Sequence, residues 1–199
     1  MSVALLKNTS HQKEREQRLT LENITWKQYE GLRETLDEFP GLRMTYIEGV
    51  LELFMPSPEH EAAKKALARL IEVYSLETKT RLYGCGSTTY RQKAKARGLE
   101  PDESYCVDRI KDLPDFAVEI IMTSGSLDKL AVYSGLGIPE VWFWQDKHLA
   151  IYGLQSGRYH LTKHSTVLPE LDIDLLVRCL NMPDQFDAVI EFQTALRQK

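Results

Sequence analysis

The stretch LPDFAVEIIMTSGSLDKLAVY, residues 113–133, puts a charge where a charge is expensive. Its centre, FAVEII (116–121), is apolar enough for a strand buried on both faces, yet Glu119 stands in the middle of it. A buried carboxylate is strongly destabilising unless it is paired or bound to a cation. Strand alternation sets Phe116, Val118 and Ile120 on one face and Ala117, Glu119 and Ile121 on the other. Upstream, PDESYCV (101–107) reads as a further short strand, and pairing of the two would bring Asp102 and Glu119 to neighbouring positions. Two such carboxylates repel, and a divalent cation relieves the repulsion. Mg²⁺ takes oxygen ligands, keeps several waters and needs only one or two protein carboxylates. The plainer alternative is a turn at Asp102 after Pro101 and an arginine partner for Glu119.

Outward from this centre, the periodicity alternates between helix and strand. Thr25 and Gln28 have the spacing of a capping box, and Trp26, Tyr29, Leu32, Leu36 and Phe39 recur at helical intervals until Pro40-Gly41. LRMTYIEGVLELFMP reads as a hairpin turning at Glu48-Gly49. Ser57-Pro58 opens a long helix with Ala63, Leu67, Leu70, Ile71 and Tyr74 on one face. CGSTTYR (85–91), PDESYCV and FAVEII then read as three strands. A helix follows from Ser124 or Ser126 to Leu136, then the strand PEVWFW, a meander of HLAIYGL and GRYHLTK, and helix after Asp172. Residues 57–145 thus run helix, three strands, helix, strand, which predicts an α/β or α+β fold with a mixed sheet covered by helices. Residues 1–19 are polar and aperiodic and predict a flexible N-terminal arm, residues 20–182 the folded domain, and residues 183–199 a C-terminal helical tail.

Composition narrows the function classes. The 199 residues, 43% of them hydrophobic, suit one domain with a sizeable core. No apolar run is long enough for a membrane span, and the first residues lack the apolar region of a signal peptide, so the expected location is cytoplasmic. Cys85, Cys106 and Cys179 form no CxxC pair and read as reduced core thiols. The net charge of −4 gives the chain no overall affinity for polyanions, so any such affinity must be local.

The order strand-Pro101-Asp102, then PDFAVEII, a downstream Asp128-Lys129-Leu130 and GIPEVW, together with Tyr46-Ile47-Glu48-Gly49 and PSPEH (56–60), resembles the Uma family of restriction endonucleases. That family belongs to the bacterial PD-(D/E)xK nucleases, and the resemblance covers roughly residues 20 to 182. It implies a restriction-endonuclease-like core of order αβββαβ and hydrolysis of phosphodiester bonds in double-stranded DNA with Mg²⁺ or Mn²⁺. By the same resemblance Asp102 and Glu119 are metal ligands and the backbone carbonyl of Ile120 a third. The lysine expected two residues after Glu119 is replaced by Ile121, and the family points to Lys129 instead. The helical wheel leaves that residue ambiguous: Leu127, Leu130, Ala131 and Ser134 form a stripe without it, while Leu130, Tyr133 and Leu136 form one that includes it. A lone helix lysine is also commonly a solvated one.

Glu48 and His60 are second-tier candidates under the same resemblance, Glu48 as a third acidic residue near the metal and His60 as a group that positions water or contacts phosphate. Their plain readings are turn chemistry and a polar residue near a helix start. Asp115 repeats the Pro-Asp pattern and reads as a strand-start residue. In RQKAKAR, Arg91, Lys93, Lys95 and Arg97 alternate, and an extended chain would align them on one face as a DNA-backbone contact, or leave them as a solvated loop. Trp142 and Trp144 read as core rather than base-stacking residues. A homodimer is expected by analogy with restriction enzymes. The missing lysine at position 121 keeps open a catalytically degenerate DNA-binding or assembly module.

Overall fold

The computed structural model describes residues 15–123 and 127–198. In chain order these form β1 (Gln17–Leu21), α1 (Trp26–Leu36), β2 (Arg43–Ile47), β3 (Val50–Met55), α2 (Pro58–Thr78), β4 (Leu82–Gly84), β5 (Tyr90–Gln92), β6 (Arg97–Leu99), β7 (Glu103–Val107), β8 (Phe116–Ile121), α3 (Lys129–Leu136), β9 (Glu140–Gln145), β10 (His148–Gln155), β11 (Arg158–Thr162), α4 (Ile173–Leu180) and α5 (Gln185–Arg197).

The start signals act as their chemistry predicts. Gln28 N–H donates to Thr25 Oγ1 at 3.3 Å and Thr25 N–H donates to Gln28 Oε1 at 2.8 Å, which completes the capping box of α1. Ser57 caps α2 ahead of Pro58, with Glu59 and Glu61 in the positively polarised first turn. β2 and β3 close through Glu48 and Gly49, both at positive φ (46° and 96°), the two-residue turn that matches strand twist.

The strands sort into two sheets. One has the order β1-β3-β2-β6-β5 and is antiparallel throughout. The other has the order β11-β10-β9-β8-β7-β4, with β8 and β9 parallel and the remaining pairs antiparallel. Within it, α2, β4, β7, β8, α3 and β9 give the expected αβββαβ order, interrupted by a β5–β6 hairpin that joins the first sheet. Alternation along β8 divides the packing. Phe116, Val118 and Ile120 meet Leu67, Leu70, Ile71 and Tyr74 of α2 and residues of α4 and α5, whereas Ala117 faces Val132, Tyr133 and Leu136 of α3. Trp142 stacks on Phe116 with ring centroids 4.8 Å apart, and Trp142 and Trp144 are both buried, as core residues. Truncating Phe116 to alanine there costs about 3–5 kcal/mol.

Three local expectations change. Residues 17–19, assigned to the arm by their polarity, belong to β1, which pairs with β3 from Gln17↔Met55 to Leu21↔Leu51; backbone bonds hold an edge strand whatever its side chains. CGSTTYR is mostly turn: Thr88 Oγ1 donates to the Cys85 carbonyl at 2.6 Å and Gly86 takes φ 57°, so the strands are β4 before it and β5 at its end. RQKAKAR is no extended strand, because Lys93–Lys95 form a 3-10 turn between β5 and β6, and Arg91 and Arg97 sit on paired strands. The helix after β8 begins at Lys129, capped by the Asp128 carboxylate, which accepts from Ala131 N–H at 3.3 Å; the starts predicted at Ser124 or Ser126 lie outside the described residues. Among the described residues no helix is long and apolar enough to cross a membrane.

Candidate active site

The β7–β8 ladder ends with Glu103↔Val118, and the next step of the same register sets Asp102 opposite Glu119. Beyond that step the Ile120 N–H donates to Asp102 Oδ2 at 2.6 Å. Asp102 is 1% exposed. Its Oδ1 takes His60 Nε2 at 2.8 Å and is also in contact with the Arg43 guanidinium. The Pro-Asp pair thus ends a strand and substitutes a carboxylate for the missing strand partner.

Glu119 is fully buried on the α3 face of the sheet. Lys129 Nζ lies 2.6 Å from Glu119 Oε2, and Tyr133 donates its hydroxyl to Glu119 Oε1 at 2.5 Å. Lys129 and Tyr133 are one helical turn apart, so both reach the same carboxylate, and the stripe through Leu130, Tyr133 and Leu136 is the one that includes Lys129. Position 121 is therefore not the source of the cation beside Glu119; the first residue of α3 is. Burial first, then the Glu119 charge, push the Tyr133 phenol well above its ordinary value, so it remains a donor.

His60 is buried and has a carboxylate on each ring nitrogen: Asp102 on Nε2 and Glu16 on Nδ1, both at 2.8 Å. Its pKa is lowered, chiefly by burial, against the hydrogen bond to Glu16, which raises it. A neutral imidazole donates only once, so two bonds to two carboxylates require one proton more than neutral imidazole and two carboxylates hold. With both nitrogens engaged, His60 orients Asp102 rather than presenting itself to solvent. Glu16 also accepts from the Thr123 hydroxyl, which ties β1 to the end of β8.

Sequence reasoning missed Glu16, Arg18, Arg43, Glu52 and Tyr133. Glu52 is 2% exposed, and Arg18 NH1 donates to it at 3.1 Å while the Arg18 guanidinium lies 4.0 Å from the Phe54 ring centre. Its signal was legible: VLELFM holds a single carboxylate among apolar residues, as FAVEII does. Arg43 and Tyr133 gave no comparable signal, since their roles depend on strands and helices meeting across the fold.

Other candidates stay apart. Glu48 is exposed at the hairpin turn and accepts from Arg97 NH2 at 2.8 Å. Arg97 in turn lies against Gly135, where an added Cβ would come within 2.7 Å of its side chain. That contact is in the last turn of α3, six residues or about 9 Å along the axis from Lys129. Arg97 therefore points inward, and Arg91, Lys93 and Lys95 remain exposed. Asp115 lies at the far end of the β7–β8 pair, where it accepts from Val107 N–H at 2.7 Å and from Lys111.

Among the described residues no three His, Cys, Asp or Glu side chains are grouped as a metal cage. A hard cation that keeps most of its waters needs only one or two protein carboxylates, and Asp102 and Glu119, set opposite each other by the strand register, are the candidate pair. Among the described residues, Arg18 pairs with Glu16 and Glu52, Arg43 with Asp102 and Glu61, Lys64 with Glu61, and Lys129 with Glu119.

Among curated proteins, none matches the chain. A comparison with protein families matches residues 26–182 to Uma2, described as "putative restriction endonuclease". The match contains the β2–β3 hairpin, the Pro101-Asp102 strand end, the Glu119 strand and Lys129, so every described candidate except Glu16 and Arg18 falls within it. Over most of its length, and through the elements that build this site, the chain belongs to the Uma2 family of restriction-endonuclease-like proteins.

Proposed function

We propose that the protein is a DNA endonuclease that hydrolyses phosphodiester bonds with Mg²⁺ or Mn²⁺ held by Asp102, Glu119 and the carbonyl of Ile120. The observation that supports this most is the ammonium of Lys129, 2.6 Å from Glu119, beside a second buried carboxylate fixed by the Ile120 N–H. When bound, such an ion would supply a water more acidic than bulk water and positive charge against the phosphate. Asp102 is kept in one rotamer by Ile120, His60 and Arg43. Lys129 offers a preorganised positive charge to the oxygens that gain charge as the phosphorus is attacked, and Tyr133 keeps hold of Glu119 as the lysine turns toward the phosphate. Arg91, Lys93 and Lys95 supply exposed positive charge for the DNA backbone.

One observation favours a second reading, a nuclease scaffold that binds DNA without cutting it: Arg43 and Lys129 already neutralise both carboxylates. Supercoiled plasmid incubated with Mg²⁺, Mn²⁺ or EDTA separates the two. The nuclease reading expects metal-dependent nicking that Glu119→Ala abolishes; salt-sensitive binding with no nicking by the wild type supports the scaffold.

A further inference from the structure

A cleft of about 260 Å³ opens beside Lys129, with Ile120 and Lys129 in its wall. It therefore adjoins Glu119, yet most of its lining has no part in holding a metal or a phosphate. Ile121, Leu130, Phe143 and Tyr152 give it an apolar side, on which the Phe143 and Tyr152 rings meet edge to face at 5.7 Å and are only half-buried. The Gln145 amide lies at its rim on the exposed end of β9.

We propose that this cleft takes one nucleobase swung out of the duplex, with the adjoining phosphate held between Arg18 and Lys129. The proposal rests on the nuclease reading and names the part of the substrate that lies beyond the scissile bond. Three observations carry it. The volume lies just below the roughly 300–1,000 Å³ of pockets for drug-sized ligands, which suits one nucleoside. Half-buried aromatic rings beside cations offer what a base with its phosphate requires, a stacking surface and positive charge. Arg18 and Lys129 are braced by Glu52 and Glu119, so the positive charge is held in place before any ligand arrives. The two carboxylates in the lining do not oppose a phosphate freely, because Glu52 is paired with Arg18 and Asp128 caps α3. Gln145 offers one donor and one acceptor to a base edge, and stacking without a fixed partner would make base preference weak.

Calorimetry with the full-length protein in EDTA tests this. Deoxyadenosine 5′-monophosphate and thymidine 5′-monophosphate should bind at least about tenfold more tightly than deoxyribose 5-phosphate, the scale of one base–aromatic contact. Gln145→Trp, which fills the cleft from an exposed strand end, and Tyr152→Leu should each erase that difference. A duplex with one mismatch should bind more tightly than its matched counterpart, since an unpaired base leaves the stack at lower cost. Equal binding of nucleotides and deoxyribose 5-phosphate overturns the proposal, as does equal binding of matched and mismatched duplexes, or a base preference that survives in both variants. Plasmid cleavage measured in parallel keeps the two readings separate. Cleavage without base preference removes the cleft assignment alone, and base preference without cleavage removes the nuclease reading alone.

Discussion

Lys129 Nζ sits 2.6 Å from Glu119 Oε2, ten residues on in the chain and across a strand–helix junction. The cation that a shorter motif would place two residues after the acid comes here from the first residue of a helix, while Ile121 occupies the strand position. The exchange is physically economical. A side chain at 121 shares the Glu119 face of β8, whereas one at the start of α3 reaches the carboxylate and keeps 18% of its surface in solvent.

Removing that cation should show in both stability and activity. Lys129→Met leaves Glu119 buried with Tyr133 as its remaining partner among those described, and should cost about 2 kcal/mol, less than the roughly 3–5 of a fully buried pair because Lys129 is partly solvated. Denaturant unfolding should recover most of this loss in Lys129→Met with Glu119→Gln, while plasmid cleavage stays absent in both. Stability that is not recovered in the double variant would count against the pairing as the source of the effect.

The two glutamates of the β2–β3 hairpin should behave oppositely. Glu48→Gln alters an exposed turn residue and should change stability by less than about 0.5 kcal/mol. Glu52→Gln weakens the buried bond to Arg18 and should destabilise by about 1–2 kcal/mol, with a larger fall in DNA affinity than Glu48→Gln gives. Equal effects of the two in unfolding and DNA-binding titrations would contradict the division.

His60 acts through Asp102. His60→Ala should weaken Mn²⁺ binding about 10–100-fold, the usual effect of losing the partner that orients a ligand. Calorimetric titration of Mn²⁺ reads this directly, and unchanged affinity would remove His60 from the site.

Alkaline unfolding should be coupled to ionisation of the buried tyrosines. Burial raises Tyr29 and Tyr90 to about 12 and Tyr133 well above 10. With folded values above the unfolded value of about 10, their contribution is complete below pH 10 and is lost as pH rises from there through about 12. Absorbance titration should find these phenols ionising together with loss of helical circular dichroism. Their ionisation in a chain that stays folded would contradict the burial.

Much of this architecture is legible in the chain because it rests on local signals. Thr25 with Gln28, Glu48-Gly49 and Ser57-Pro58 each fix an element end by their own hydrogen bonds or dihedral angles. Alternation along FAVEII sorts Phe116, Val118 and Ile120 from Ala117 and Glu119, since each face packs against a different layer. The carboxylate in that strand marks the candidate site. Its partners are harder to read: Arg43 comes from another sheet, His60 from α2 and Glu16 from the residue before β1, and no local spacing encodes that meeting. β1 itself is held by backbone pairing to β3, so its side chains carry little sign of it. The turn of RQKAKAR was hidden because its alternating charges mimic a strand, whereas Ala96 at φ 47° reverses the chain.

The central claim is that Asp102 and Glu119 share one divalent cation. Electron paramagnetic resonance titration of Mn²⁺ into the folded wild type, Asp102→Asn and Glu119→Gln tests it most directly. The account predicts one bound Mn²⁺ per wild-type chain and its loss in each variant. No bound Mn²⁺ in the folded wild type, or equal binding in all three proteins, would contradict it.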